Sequence, residues 1–184
     1  MNDTFGQYLG KNFEVAANLQ AADLNRFIAG LRDIRDGDGT LWIAGNGGSS
    51  AAASHATVDF IKTSTSFRSS PLKSVSLSEM VSLQTALAND LSFEQGFSQS
   101  IESLSRPGDG LMILSVSGTS PNLIYALEAA KVKKLKTFAI TGKKGAKTCS
   151  EVDYGICIAS EDYQIVENIH MLLIHWFTIE IGQG

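Results

Sequence analysis

The sequence predicts a single-domain, three-layer α/β fold: a five-stranded parallel sheet covered by helices on both faces, with helices ahead of it at the N-terminus. Three observations predict this. Short apolar runs alternate along the chain with longer segments of helical period. The runs are continuous rather than alternating apolar and polar, as expected of strands buried on both faces. The 184 residues are 43% hydrophobic and 18% charged, which suits one domain with a sizeable core and not a disordered chain.

The elements follow in order. Residues 3–35 read as helix, because Phe5, Leu9, Phe13, Ala16, Leu19, Leu24, Phe27 and Leu31 recur near the helical period. A break is expected near Ala21-Ala22-Asp23, with Asp23 capping a second segment. The 1–36 segment is an expected oligomerisation element, since its apolar positions offer surface to bury. Asp36-Gly37-Asp38-Gly39 is a turn, and Leu41-Trp42-Ile43-Ala44 a buried strand ending in glycine. A helix is predicted over 49–62, a strand over 72–77 behind Pro71, and helices over 80–88 and 93–104. Arg106-Pro107-Gly108-Asp109-Gly110 is a second turn leading into a strand at Leu111-Met112-Ile113-Leu114. A helix over 120–133, strands over 136–141 and 154–158, and a long apolar helix over 166–181 complete the chain.

Composition narrows the function. The formal net charge is −4 and no basic stripe occurs, which argues against a nucleic-acid partner. The apolar runs are too short to span a membrane. No basic segment leads into an apolar run at Met1-Asn2-Asp3-Thr4, so no secretory signal is expected. Cys149 and Cys157 lack metal-site spacing and do not suggest a disulfide framework, which points to a reducing cytoplasm.

Two strand ends carry similar chemistry. Gly45-Asn46-Gly47-Gly48-Ser49-Ser50 follows the first strand, and Ser115-Val116-Ser117-Gly118-Thr119-Ser120 the third, with Pro121 opening a helix. Glycines let the backbone approach an anion closely, and free N–H groups at a helix start attract phosphate. Serine and threonine hydroxyls add donors, and proline suits the first helical turn. Either loop alone is equally an ordinary strand-to-helix turn with a serine cap. Two at equivalent strand ends favour a phosphate-bearing ligand, in the place where parallel sheets bind ligands. Neither loop has a dinucleotide or P-loop pattern, so no nucleotide cofactor is indicated.

The three histidines lie beside acids or on the last helix. His55 and Asp59 are four residues apart and share a helix face. Glu167 and His175 are eight apart, a little over two turns, and can look toward one side, whereas His170 points more than a quarter-turn away from His175. Two histidines and two carboxylates can hold a divalent metal such as zinc or supply an acid and a base. A core histidine and solvated carboxylates account for the same spacing. Spacing alone does not bring the two helices together.

Taken in order, these residues resemble the sugar isomerase (SIS) domain family, most closely its phosphoheptose isomerases. Gly45-Asn46-Gly47-Gly48-Ser49 with His55, then Asn89-Asp90, the Ser115–Ser120 loop, Ala139-Ile140-Thr141-Gly142-Lys143, and Ile169-His170-x-x-x-Ile174-His175 each resemble a family segment, and together they cover essentially the whole chain. The resemblance implies a flavodoxin-like SIS fold, a homotetramer, and conversion of sedoheptulose 7-phosphate to its aldose isomer through an enediol. It implies phosphate contacts at Ser49, Ser115, Ser117 and Ser120, with Asn46, Gly47 and Gly48 beside them. It implies sugar contacts at Asn89, Asp90 and Glu167. Asp59 and His175 would be catalytic, and His55, Asp59, Glu167 and His175 would hold zinc.

The sequence departs from the family pattern at two of these places. Asp59 stands where the family has glutamate, one methylene longer, and a misplacement of ~1 Å can cost ~10²-fold in rate. Glu167 stands where the family has glutamine, which adds a negative charge. Val116 replaces a threonine and its hydroxyl. These departures carry an alternative reading as a non-catalytic phosphosugar-binding protein or a tetrameric adaptor for a replication initiator.

Overall fold

Five parallel strands, in the order β2-β1-β3-β4-β5, form the centre of the molecule in a computed structural model that describes residues 4–66 and 70–183. In chain order the elements are α1 (Thr4–Ala17), α2 (Ala21–Asp36), β1 (Thr40–Gly45), α3 (Gly48–Ser66), β2 (Lys73–Ser76), α4 (Val81–Asp90), α5 (Gly96–Leu104), β3 (Gly110–Ser115), α6 (Pro121–Val132), β4 (Lys136–Gly142), α7 (Ala146–Ser150), β5 (Tyr154–Ile158) and α8 (Tyr163–Gly182). The expectations for residues 1–3 lie outside the described residues.

The three-layer architecture is as the apolar runs require. β3 is buried along its whole length and β1 and β4 at all but their first residue. One face of the sheet carries a core built with α2, α3 and α8, including Phe27, Phe60, Phe138, Ile174 and Phe177. Phe27 stacks on Phe177 with centroids 4.9 Å apart. The other face carries a core with α5 and α6, including Phe97, Ile101, Leu123 and Leu127. Helix α1 has no buried residue and rests against α8, with Phe5, Leu9 and Phe13 exposed.

Several local expectations need correction. The N-terminal break falls at 18–20, one turn early, and Asp23 lies inside the first turn of α2 rather than capping it; Gln20 holds the cap position without a side-chain hydrogen bond. The last helix begins at Tyr163, three residues early, because Asp162 caps it by accepting from the N–H groups of Gln164 and Ile165. The short helix α7 was not foreseen, since five residues carry no readable period.

The turn before β3 is held from within. The buried Asp109 carboxylate accepts from Thr40 N, Trp42 Nε1 and Arg106 N at 2.8, 3.0 and 2.9 Å. Those contacts tie the starts of β1 and β3 together, which fixes their register. The opposite ends of the same two strands carry the glycine and serine loops. All five strands run parallel, but successive strands are added on one side of β1 and then, from β3 on, on the other, so the loops after β1 and β3 flank a crevice at the switch point.

Candidate phosphosugar site

The first loop turns tightly out of β1. Gly47 has φ +54°, a left-handed conformation that favours glycine. Gly45 has no room for a side chain, since a Cβ there would come within 2.5 Å of the Ser49 carbonyl oxygen. The Asn46 carbonyl accepts from the N–H groups of Ser49 and Ser50 at 3.0 and 3.3 Å, which starts α3.

The second loop is organised by its own serines. Ser115 Oγ accepts from Gly118 N at 2.9 Å, and Ser117 Oγ from Thr119 N at 3.3 Å. Gly118 has φ +66° and backs onto the Cα of Gly145. Thr148, on the unforeseen α7, donates to the Gly118 carbonyl at 2.7 Å. Ser120 occupies the cap position of α6, yet its hydroxyl makes no capping bond.

Between the loops lies a cavity of about 320 Å³. Its wall contains Asn46, Gly47, Gly48, Ser49, Ser115, Ser117 and Ser120, and α8 closes it with Tyr163 and Glu167. Leu114 and Val116 add an apolar strip to a wall otherwise made of hydroxyls, an amide and loop backbone, with no Lys or Arg. Its one charged group is the Glu167 carboxylate, packed so closely on Gly48 that a Cβ there would collide with it. A second cavity of about 270 Å³ lies across Asn46 and Gly47, lined by Ser50, Ser78, Gln84, Phe93, Phe97 and Asn122.

His55 and Asp59 on α3 meet His175 on α8. His55 Nε2 lies 3.0 Å from His175 Nε2 and 3.1 Å from Asp59 Oδ2, and His175 Nε2 lies 3.6 Å from the same oxygen. The two imidazoles are about half exposed and the carboxylate less so. At these distances one ring donates its N–H to the other or to the carboxylate. The three edges bracket the ~3.3 Å that separates ligand atoms around zinc at ~2.0–2.1 Å, and two imidazoles with a carboxylate form a donor set that leaves a fourth position open. The residues present therefore fit zinc.

Not every residue named from the sequence joins these two centres. Glu167 is a wall of the loop cavity and is absent from the group His55, Asp59 and His175, whose ligand atoms converge. Asn89 and Asp90 end α4, bond to each other at 2.8 Å, are exposed, and line neither cavity. His170 is fully buried on α8, and neither ring nitrogen has a hydrogen-bond partner among the described residues. Burial pulls its pKa down to about 4. It is the core histidine that the sequence allowed for. Asn122, Thr148 and Tyr163 were not singled out: Asn and Thr in a helical turn carry no signal until their long-range partners are known.

A family model described as SIS domain matches residues 4–142. Among curated proteins, a phosphoheptose isomerase from Thermodesulfovibrio yellowstonii is 37% identical over 137 residues, 74% of this chain and 68% of the relative. A phosphoheptose isomerase from Aromatoleum aromaticum is 32% identical over 177 residues, 91% of this chain and 89% of the relative. Among solved structures, phosphoheptose isomerase from Neisseria gonorrhoeae superposes with a TM-score of 0.87 at 26% identity, covering 98% of this chain and 97% of that one.

Proposed function

The chain belongs to the SIS domain family, and we propose that it is a phosphoheptose isomerase, converting sedoheptulose 7-phosphate to D-glycero-D-manno-heptose 7-phosphate. The observation that carries this reading is the arrangement of two stations along one pair of helices. The hydroxyl-lined cavity sits at the start of α3 and of α8, and the His55–Asp59–His175 cluster sits further along both. From Glu167 to His175 the run along α8 is about 12 Å at 1.5 Å per residue. A sugar phosphate of several carbons can place its phosphate at the first station and its carbonyl end at the second; a triose phosphate is too short.

The phosphate is held by Ser49, Ser115, Ser117 and Ser120 and by the N-terminal ends of α3 and α6, whose dipoles favour an anion. At the other end, Asp59 and His175 move the protons. One takes the proton from C1 beside the ketone, O2 is protonated as the enediol forms, O1 gives up its proton, and C2 receives one. Atoms balance with no other reactant. His55, Asp59 and His175 are also the side chains that would hold zinc, which supplies Lewis-acid polarisation of the carbonyl when bound. Asn89 and Asp90 belong to the sugar-binding surface in this reading. The exposed Phe5, Leu9, Phe13, Leu172 and Ile179 support assembly into a homotetramer. Two free cysteines support a cytoplasmic location; among the described residues no helix is long and apolar enough to cross a membrane.

The test is turnover of sedoheptulose 7-phosphate by purified protein with and without added zinc. Formation of the aldose is expected. Binding of the sugar phosphate without turnover would favour the non-catalytic reading that Asp59 and Glu167 suggest.

A further inference from the structure

We propose that Asn122 is a positioning residue for the phosphate site, acting through Asn46 as one half of an amide clasp between the two loops. The proposal rests on reading the hydroxyl-lined cavity as the phosphate site. Asn46 Nδ2 donates to Asn122 Oδ1 at 3.0 Å, and Asn122 Nδ2 donates to Asn46 Oδ1 at 2.8 Å. Two opposed bonds between planar groups fix rotation as well as distance. Asn122 is 2% exposed, so its side of the pair is shielded from water, while Asn46 is half-buried.

The clasp spans the switch point. Asn46 lies between β1 and α3, and its carbonyl receives the Ser49 and Ser50 N–H groups. Its placement therefore sets where Ser49 points. Asn122 is the second residue of α6, behind Pro121 and two residues from Ser120, so it moves with the second loop. Holding 46 to 122 sets the gap across which Ser49 faces Ser115, Ser117 and Ser120. An amide pair satisfies a donor and an acceptor on each side without charge, which suits the edge of a dianion site; an ion pair would add a carboxylate there. The pair also forms the partition between the two cavities, since Asn46 lines both and Asn122 lines the smaller beside Phe93 and Phe97. Both ends of the Asn46 amide are engaged by Asn122. The side chain is thus a strut of the site, and the serines are its ligands.

The experiment measures inorganic phosphate affinity by calorimetry, and kcat and KM with sedoheptulose 7-phosphate, in the wild type, Asn46→Ala, Asn122→Ala and the double variant. Asn122→Ala is expected to weaken phosphate binding and raise KM by at least about tenfold, with kcat changed far less, because the clasp is remote from His175. The double variant is expected to be no worse than the poorer single variant, since the two side chains act as one unit. Unchanged phosphate affinity in folded Asn122→Ala protein, or losses that add in the double variant, would overturn the proposal. Asn122→Leu keeps about the same size and adds no charge but loses both bonds to Asn46; if Asn122→Ala does not fold, weakened binding in folded Asn122→Leu supports the clasp, and wild-type affinity overturns it. Phosphate binding is read apart from turnover. Wild-type protein that binds phosphate but isomerises nothing would remove the functional reading, and the clasp would still stand or fall on the phosphate affinities. Wild-type protein that binds no phosphate would overturn both.

Discussion

His55 and His175, 120 residues apart in sequence, hold their Nε2 atoms 3.0 Å from each other across the α3–α8 contact, with Asp59 Oδ2 in reach of both. His175 is about half exposed, so the fold does not depend on its side chain. His175→Ala is expected to lower kcat by roughly 10²–10⁴-fold, the usual worth of a positioned acid or base, with the circular dichroism spectrum unchanged. Wild-type turnover in this variant would refute the assigned role.

Zinc binding separates the three convergent ligands from the fourth residue that the family pattern suggested. Titration against a chromophoric chelator is expected to give one zinc per chain in the wild type and in Glu167→Gln. His55→Ala and Asp59→Asn are expected to lose at least about tenfold in affinity. A loss of zinc in Glu167→Gln would place that carboxylate in the metal site.

The same Glu167→Gln change bears on the loop cavity. Glu167 is the one charged group in the wall and carries the sign of the ligand. Like charges in a shared site oppose binding. Inorganic phosphate is expected to bind several-fold more tightly to Glu167→Gln, with the gain shrinking as salt is raised. Equal or weaker binding would show that the carboxylate does not oppose the phosphate.

Gly118→Ala tests the second loop. The left-handed φ and the contact with Gly145 both oppose a Cβ. A loss of about 1–3 kcal/mol in stability is expected from denaturant melts, together with weakened phosphate binding. Gly10→Ala is the control, since a Cβ there meets nothing within 4 Å.

His170 predicts a pH dependence. Burial holds its pKa near 4 in the folded protein against 6.5 for the free side chain. Between those values the unfolded chain binds more protons, so stability falls as pH drops from 6.5 toward 4 and this contribution levels off below 4. The full effect is of the order of 3 kcal/mol. His170→Leu replaces a fully buried imidazole, whose ring nitrogens make no hydrogen bond of good geometry among the described residues, by an apolar side chain, and is expected to be neutral or stabilising at pH 7. Its melting temperature should fall less than the wild type's between pH 6.5 and 4; parallel curves would show that His170 does not titrate with unfolding.

Much of this molecule was legible in one dimension. Strand runs such as Leu111-Met112-Ile113-Leu114 are read within a few residues, because burial on both faces selects apolar side chains over a short window. The loops at Gly45–Ser50 and Ser115–Ser120 were legible for a related reason: glycine, serine and Pro121 are demanded by local backbone geometry and by the start of a helix. Helix α7 and the Asp162 cap were missed or misplaced, since neither leaves a periodic trace.

The succession of strands and helices, the two glycine- and serine-rich loops, and the supply of histidines and acids near them are written in the chain itself, because each depends on contacts within a turn or two. Which of those side chains meet is settled by the packing of distant elements. The packing of α3 on α8 joined His55 and Asp59 to His175 and left Glu167 one station away in the loop cavity. The β1–β3 pairing put Asn46 against Asn122 across 76 positions. Helical spacing fixes the direction in which a side chain points along its own axis; the depth and angle at which two elements pack depend on the whole core, and that is where the meetings were settled.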